Sequence, residues 1–370
     1  MTVNHPGTFK VLFIVPYPKA TAPSQRFRVE QYFSLLNREG IVYHLAPFVN
    51  AETYRLLYQK GFTAKKIWGI LIGFLKRIKL VLFESKHYDV IFIHREAAPL
   101  GPPVFEWILF KCLKRKYIFD FDDAIWEPSI TGTNQLAIYF KSFWKVKYIC
   151  KWAFCASAGN HFLENFARQS GCGQTLFLPT VVDTEHKYKP PAQKILNDPP
   201  VIGWTGSHST IMYLQSCIEN LKELQQLCAF RLMIISDRRP ELDIDFSFVS
   251  WNSQSEIESL QQFDIGIMPL VKDKWSEGKC GFKIIQYMAA GIPAVASPTG
   301  ANEEIIDSGI NGFICETKEE WIKNLTILLT NSSKREEMGR LARAKIEQQY
   351  SLKSREQDFI QMLKAGKQHH

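Results

Sequence analysis

Apolar residues come in short blocks along this chain. Each block is followed by a Gly- or Pro-containing turn and then by a stretch with helical spacing. The first block, KVLFIVP at 10–16, predicts a buried parallel strand that runs into a Pro-rich loop, with a helix from about Ser24. Blocks at 41–46, 90–94, 117–120 and 176–178 repeat it, separated by helical stretches such as 103–114 and 160–169. A polar, unperiodic, Pro-rich segment at 184–200 interrupts the alternation, which then restarts. The second series reads as strand 201–204, helix 209–227, strands 231–236 and 248–251, helix 256–263, strand 265–269, helix 281–290 and strand 294–297. Helices at 334–349 and 352–364 close the chain. Strand and helix in alternation predict parallel, doubly wound α/β sheets, and 370 residues are too many for one ordinary core. The expected organisation is a first domain over 1–185, a linker over 186–200, a second domain over 201–350, and a C-terminal helix and tail over 351–370. Ligands of such sheets bind at the carboxyl ends of the strands, so a cleft between the two domains is the expected site.

Charge changes this picture in one place. The net charge of +8 is carried entirely by the first half, where 1–185 hold 23 Lys and Arg against 14 Asp and Glu, while 186–370 hold 22 against 23. Residues 60–86 concentrate it, with seven basic residues and one acidic, Glu84, around apolar runs at 67–75 and 80–83. Such a segment suits an anionic membrane surface. An amphipathic helix docked on its own domain has the same pattern, and no recognised nucleic-acid motif accompanies the charge. The run at 67–75 is too short to span a bilayer, and the uncharged stretch 284–302 is broken by Gly and Pro. Eight cysteines without a C-x-x-C pair read as reduced thiols. A soluble or monotopic cytoplasmic protein is expected, in contact with the inner face of the membrane if the first reading of 60–86 holds.

The segment richest in chemistry is WSEGKCGFKIIQYMAAG at 275–291. Lys279 and Lys283 flank Gly281, and the residues that follow have helical spacing. A glycine at a helix start lets backbone N–H groups approach a phosphate, and the helix dipole favours an anion there. An ordinary helix start with two solvated lysines fits the same residues.

This segment and its flanks, DIGIMPL at 264–270, YMAAGIPAVAS at 287–297 and GANEEIIDSGINGF at 300–313, resemble glycosyltransferase family 4, the group 1 glycosyltransferases, in order and spacing over roughly 200–350. The resemblance implies a GT-B fold of two Rossmann-like domains facing a cleft, with the C-terminal helix returning to the first. It also implies a nucleoside-diphosphate sugar as donor, no cofactor, and usually no metal. The first domain would bind the acceptor and the second the donor. Donor contacts would fall on Lys279, Cys280, Gly281, Phe282 and Lys283, on Gly206 and Ser207 in GWTGS, on Trp251 and Asn252 near the nucleobase, and on Glu304. The family's paired glutamates align with Gly278 and Gln286, so Gln286 would bond ribose through its amide and Glu277 would have to substitute at the sugar.

In the first half, SQRFR at 24–28 offers Arg26, and less readily Arg28, as a phosphate contact. DFDDAIW at 120–126 places Asp122 where many relatives have a His, as a group that orients or deprotonates an acceptor hydroxyl. A metal-binding Asp-x-Asp competes with that reading, and Asp123 also reads as a helix cap. His94 and Arg95 end the preceding strand and, with Arg28 and Asp123, would line the acceptor side. The expected function is transfer of a sugar to a hydroxyl of a glycan or lipid-linked acceptor in cell-surface polysaccharide synthesis, with the retention that the resemblance implies. A nucleotide-sugar epimerase and a non-catalytic sugar-nucleotide-binding or partner-binding subunit of the same fold are the alternatives.

Overall fold

The computed structural model describes residues 8–57, 59, 61–128, 141–191 and 197–368. The chain divides into two compact units, 1–180 together with 356–370, and 181–355.

The first unit is built on six parallel strands: β1 (Lys10–Val15), β2 (Val42–Pro47), β3 (Val90–His94), β4 (Tyr117–Phe121), β5 (Cys155–Ala158) and β6 (Thr175–Phe177). Their order across the sheet is β2-β1-β3-β4-β5-β6. The chain leaves β1 toward β2 on one side and later returns to β3 on the other, so the carboxyl ends of β1 and β3 form a topological switch point. β3 and β4 are buried throughout, as the continuous apolar runs require of a sheet covered on both faces. His94 and Asp120 are the polar exceptions in those runs. β5 was not legible as a strand, because CASA contains no bulky apolar residue. The last helix, Leu352–Gln368, brings its end to this unit, where Phe359 stacks on Tyr32 with ring centroids 3.9 Å apart.

The second unit has strands β7 (Val201–Thr205), β8 (Arg231–Ser236), β9 (Ser247–Ser250), β10 (Ile265–Met268), β11 (Ala294–Ala296) and β12 (Gly312–Ile314), all parallel, in the order β12-β11-β10-β7-β8-β9. Its switch point lies between β7 and β10. The expected helix 209–227 is two helices, Ile211–Gln215 and Ile218–Leu227. The helix Lys318–Thr330, absent from the pattern reading, is announced by a capping box in which Thr317 and Glu320 exchange side-chain and backbone hydrogen bonds. The stretch after Val181 packs onto this unit. Tyr188 is buried, and Arg343 donates to the backbone carbonyls of Thr184, Tyr188 and Ala289.

Candidate functional site

At the switch point of the second unit, β7 ends at Thr205 and is followed by Gly206 and Ser207, and across from it the helix Phe282–Ala289 begins. Gly281 caps that helix with φ of 64°, the left-handed region that glycine enters without a Cβ penalty, and a Cβ there would stand 2.2 Å from Ile305 Cδ1. Gly281→Ala therefore combines backbone strain with a clash. We expect it to cost about 1–3 kcal/mol of stability and to weaken anion binding at the helix start, read by thermal unfolding with and without ligand.

The first N–H groups of this helix have no intrahelical acceptor, which is the ordinary condition of a helix start. Lys283 leans back over the buried Trp204 ring, its Nζ 4.3 Å from the centroid, and a Cβ on Gly206 would lie 2.8 Å from the same Nζ. Lys279 sits over Trp275 at 4.8 Å. Burial first, and the like charge of Lys279 second, lower the Lys283 pKa to about 7. A lysine that holds its proton so weakly gains most from an arriving anion. Lys279, Cys280, Gly281, Phe282, Lys283, Gly206 and Ser207 thus share one edge of the unit. The Gly206 and His208 amides are engaged with Ile235 O and Asp237, and the Ser207 hydroxyl is hydrogen-bonded to the Ser209 hydroxyl at 2.7 Å.

Gln286 departs from the sequence reading. It is 3% exposed, and its amide donates to Tyr188 OH at 2.9 Å and to Glu256 Oε1 at 3.1 Å. Glu256 also receives the Trp251 indole N–H at 3.1 Å and the Tyr188 hydroxyl at 3.2 Å. The half-buried carboxylate at the centre of this cluster is therefore Glu256, which sequence reasoning missed because it lies thirty positions from Gln286. Asn252 is exposed and accepts the Gln254 amide, and Glu304 is half-buried in the short helix Asn302–Ile305. Glu277 accepts the Gly300 N–H at 3.3 Å, which ties its loop to the turn after β11.

The first unit gathers its polar groups at its own switch point. Asp120 is fully buried, and it accepts from Arg28, from Ser157 Oγ at 2.8 Å and from His94 Nδ1 at 2.7 Å. Burial opposes its ionisation, but the Arg28 charge and the His94 hydrogen bond outweigh burial and hold the pKa below the usual carboxylate range. Arg28, expected as a ligand contact, is instead buried as the clamp on Asp120 and on the Leu178 carbonyl. His94 is likewise engaged at both ring nitrogens, the second with Ser24 Oγ at 2.9 Å.

Arg95 follows in the left-handed region, φ 63°, an uncommon position for a side-chain-bearing residue. It donates to Asp122 at 2.9 Å, to Asp123 at 2.6 Å and to Ser24 Oγ at 3.2 Å. Burial is again opposed and overcome, here by the Arg95 charge, so Asp122 lies far below the usual carboxylate range. So weak a base is poorly matched to deprotonating a hydroxyl. Asp123 caps no helix here; it is an ion-pair partner of Arg95. Asp120 and Asp122 face different arginines, which leaves the Asp-x-Asp metal reading without a shared ligand set. Arg26 is half-buried, its guanidinium 5.1 Å from the Phe27 ring.

Residues 199–331 match the family model described as "Glycosyl transferases group 1". Spore coat protein SA of Bacillus subtilis (strain 168) is 35% identical over 68 residues, which is 18% of this chain and 18% of that protein. Among solved structures, a glycosyltransferase from Rickettsia africae superposes with a TM-score of 0.69 at 15% identity, covering 97% of this chain and 99% of its own. Anabaena HepE, solved with UDP and glucose, gives 0.65 at 14%, covering 96% and 100%.

Proposed function

We propose that this chain, whose residues 199–331 match the group 1 glycosyl transferase model and whose fold is that of GT-B structures, is a glycosyltransferase that moves a sugar, with retention, from a nucleoside-diphosphate sugar to a hydroxyl of a glycan or lipid-linked acceptor. The observation that carries this reading is the pair Lys279 and Lys283 beside the Gly281 helix start, with Lys283 poised near neutrality. Anionic diphosphate oxygens would meet the lysines and the helix-start amides. Charge developing on the leaving diphosphate would be stabilised by groups already in place, which is where such catalysis gains most. Glu256, held by Trp251, Gln286 and Tyr188, is the carboxylate we assign to the ribose hydroxyls in place of position 286. Glu277 is retained at the sugar, with Glu304 at the donor and Trp251 and Asn252 near the base. In the first unit, Asp122, Asp123 and Arg95 would orient the acceptor hydroxyl, and Arg26 is its candidate phosphate contact. Metal-independent hexosyl transfer belongs to the same proposal. A role in the cell envelope draws support from the spore-coat relative.

A panel of nucleoside diphosphates and their sugars tests the donor reading, because a ligand that binds only the folded state adds about 2.7 kcal/mol at a hundred times its Kd. We expect stabilisation by at least one nucleoside diphosphate, and sugar transfer on adding an acceptor. An isomerised sugar without transfer would point to an epimerase. Stabilisation without turnover would point to a non-catalytic subunit. The absence of any shift across the panel would remove the donor site.

A further inference from the structure

The geometry points to an anionic lipid surface as a partner of the first unit, docked in-plane through the outer face of the helix Thr63–Lys79 and the helical turn Leu80–Glu84 that continues it. Ile67, Leu71, Leu75, Ile78 and Leu82 recur at three- and four-residue spacing and so form one stripe, which Trp68 widens. All six point to solvent, with Ile67 54%, Trp68 64% and Leu75 65% exposed. Single exposed apolar side chains are ordinary in soluble proteins, but a continuous ridge of this length is not.

The helix cannot roll to hide that ridge. Its opposite face carries the buried Arg77, which donates to Ala97 O at 2.8 Å, Ala46 O at 3.1 Å and Val15 O at 3.2 Å, and Gly73 is pressed against Phe48. The inner face is therefore fixed to the carboxyl ends of β1 and β2, and the outer face is left for something else. No helix among the described residues is long and apolar enough to cross a membrane, so the contact lies in the surface plane.

Charge selects the occupant. The 3.6-residue repeat places Lys65, Lys76 and Lys79 along one border of the stripe, and Lys86 is exposed just beyond it. Glu84 is the single acidic residue across 60–86 and pairs with Lys79 at 3.3 Å, which leaves Lys65, Lys76 and Lys86 in excess. A second copy meeting this face about a two-fold axis running across the helix would bring the lysine rows together. Anionic headgroups would neutralise them while the apolar ridge and Trp68 enter the interface.

Cosedimentation of the full chain with vesicles of phosphatidylglycerol and phosphatidylcholine, against phosphatidylcholine alone, tests the assignment. We expect binding to the anionic vesicles that weakens with salt. Trp68→Glu with Leu75→Glu should weaken it by roughly a hundredfold or more. Lys65→Gln, Lys76→Gln and Lys79→Gln together should weaken it by roughly a hundredfold at low salt. All these side chains are exposed, so the thermal midpoint should stay where it is. Wild-type protein left in the supernatant, or binding indifferent to both variants, would overturn the proposal. A wild-type dimer that Trp68→Glu with Leu75→Glu converts to monomer would overturn it in favour of a protein partner. Neither result touches the donor reading, because nucleotide stabilisation is measured without vesicles.

Discussion

Asp120→Ala is expected to destabilise the first unit by about 3–5 kcal/mol, the range seen when one partner of a buried ion pair is removed. The substitution deletes the common acceptor of Arg28, His94 and Ser157, three groups drawn from different segments of the chain. Arg28 is left buried with its charge uncompensated, and desolvating an unpaired guanidinium costs more than the pair itself contributes. Total domain stability is only about 5–15 kcal/mol, so the variant should be marginal at ambient temperature. Chemical denaturation is the measurement, and a loss below about 1 kcal/mol would mean that Arg28 finds water or another acceptor. Asp120→Leu with Arg28→Met should lose much less than the sum of the two single changes, because no charge is then stranded. The pH dependence has a definite sign. Asp120 has a folded pKa below its unfolded value of about 3.9, so its stabilisation is present above that value and is lost as pH falls through the folded pKa.

The same cluster shows what a single sequence can and cannot reveal. β1, β3 and β7 are visible as apolar blocks because their strands are covered on both faces and tolerate little else. Gly281 is visible as a helix start, because few other residues suit its backbone angle. Pairings across the fold are not visible. Arg28 and Asp120 are separated by 92 positions, and nothing local marks which of Asp120, Asp122 and Asp123 faces inward. The strand decides it: Asp120 is still inside β4 and turns into the sheet's packing, whereas Asp122 and Asp123 lie beyond its end and meet Arg95. The partner of position 286 is hidden for the same reason. A glutamine aligned with a ribose contact does not reveal that a carboxylate from another helix, Glu256, stands beside it.

Lys283→Met is expected to weaken binding of a nucleoside diphosphate by roughly ten- to a hundredfold, the worth of one hydrogen bond to a charged group, while leaving the fold intact. Methionine keeps an apolar stem over Trp204 and gives up only the charge. Stability should not fall with it. The native pKa of about 7 lies below the unfolded value near 10.4, so the folded state pays for the proton below pH 7 and is relieved as pH rises toward 10. Removing the amine at pH 6 should therefore be neutral or stabilising, the opposite of what a structural lysine would show. Binding has its own pH signature. Above pH 7 the terminal phosphate, with a second pKa of about 6, is already fully charged, whereas unliganded Lys283 is losing its proton. An arriving diphosphate must restore that proton, so affinity should fall between pH 7 and 9, by at most tenfold per unit, with proton uptake visible by calorimetry in buffers of different ionisation enthalpy. Lys283→Met should flatten the dependence. Lys279→Met, which removes the like charge that helps to depress Lys283, should move the fall to higher pH. A flat wild-type profile would place the phosphate away from Lys283 and return the lysine to being a neighbour of Trp204 and nothing more.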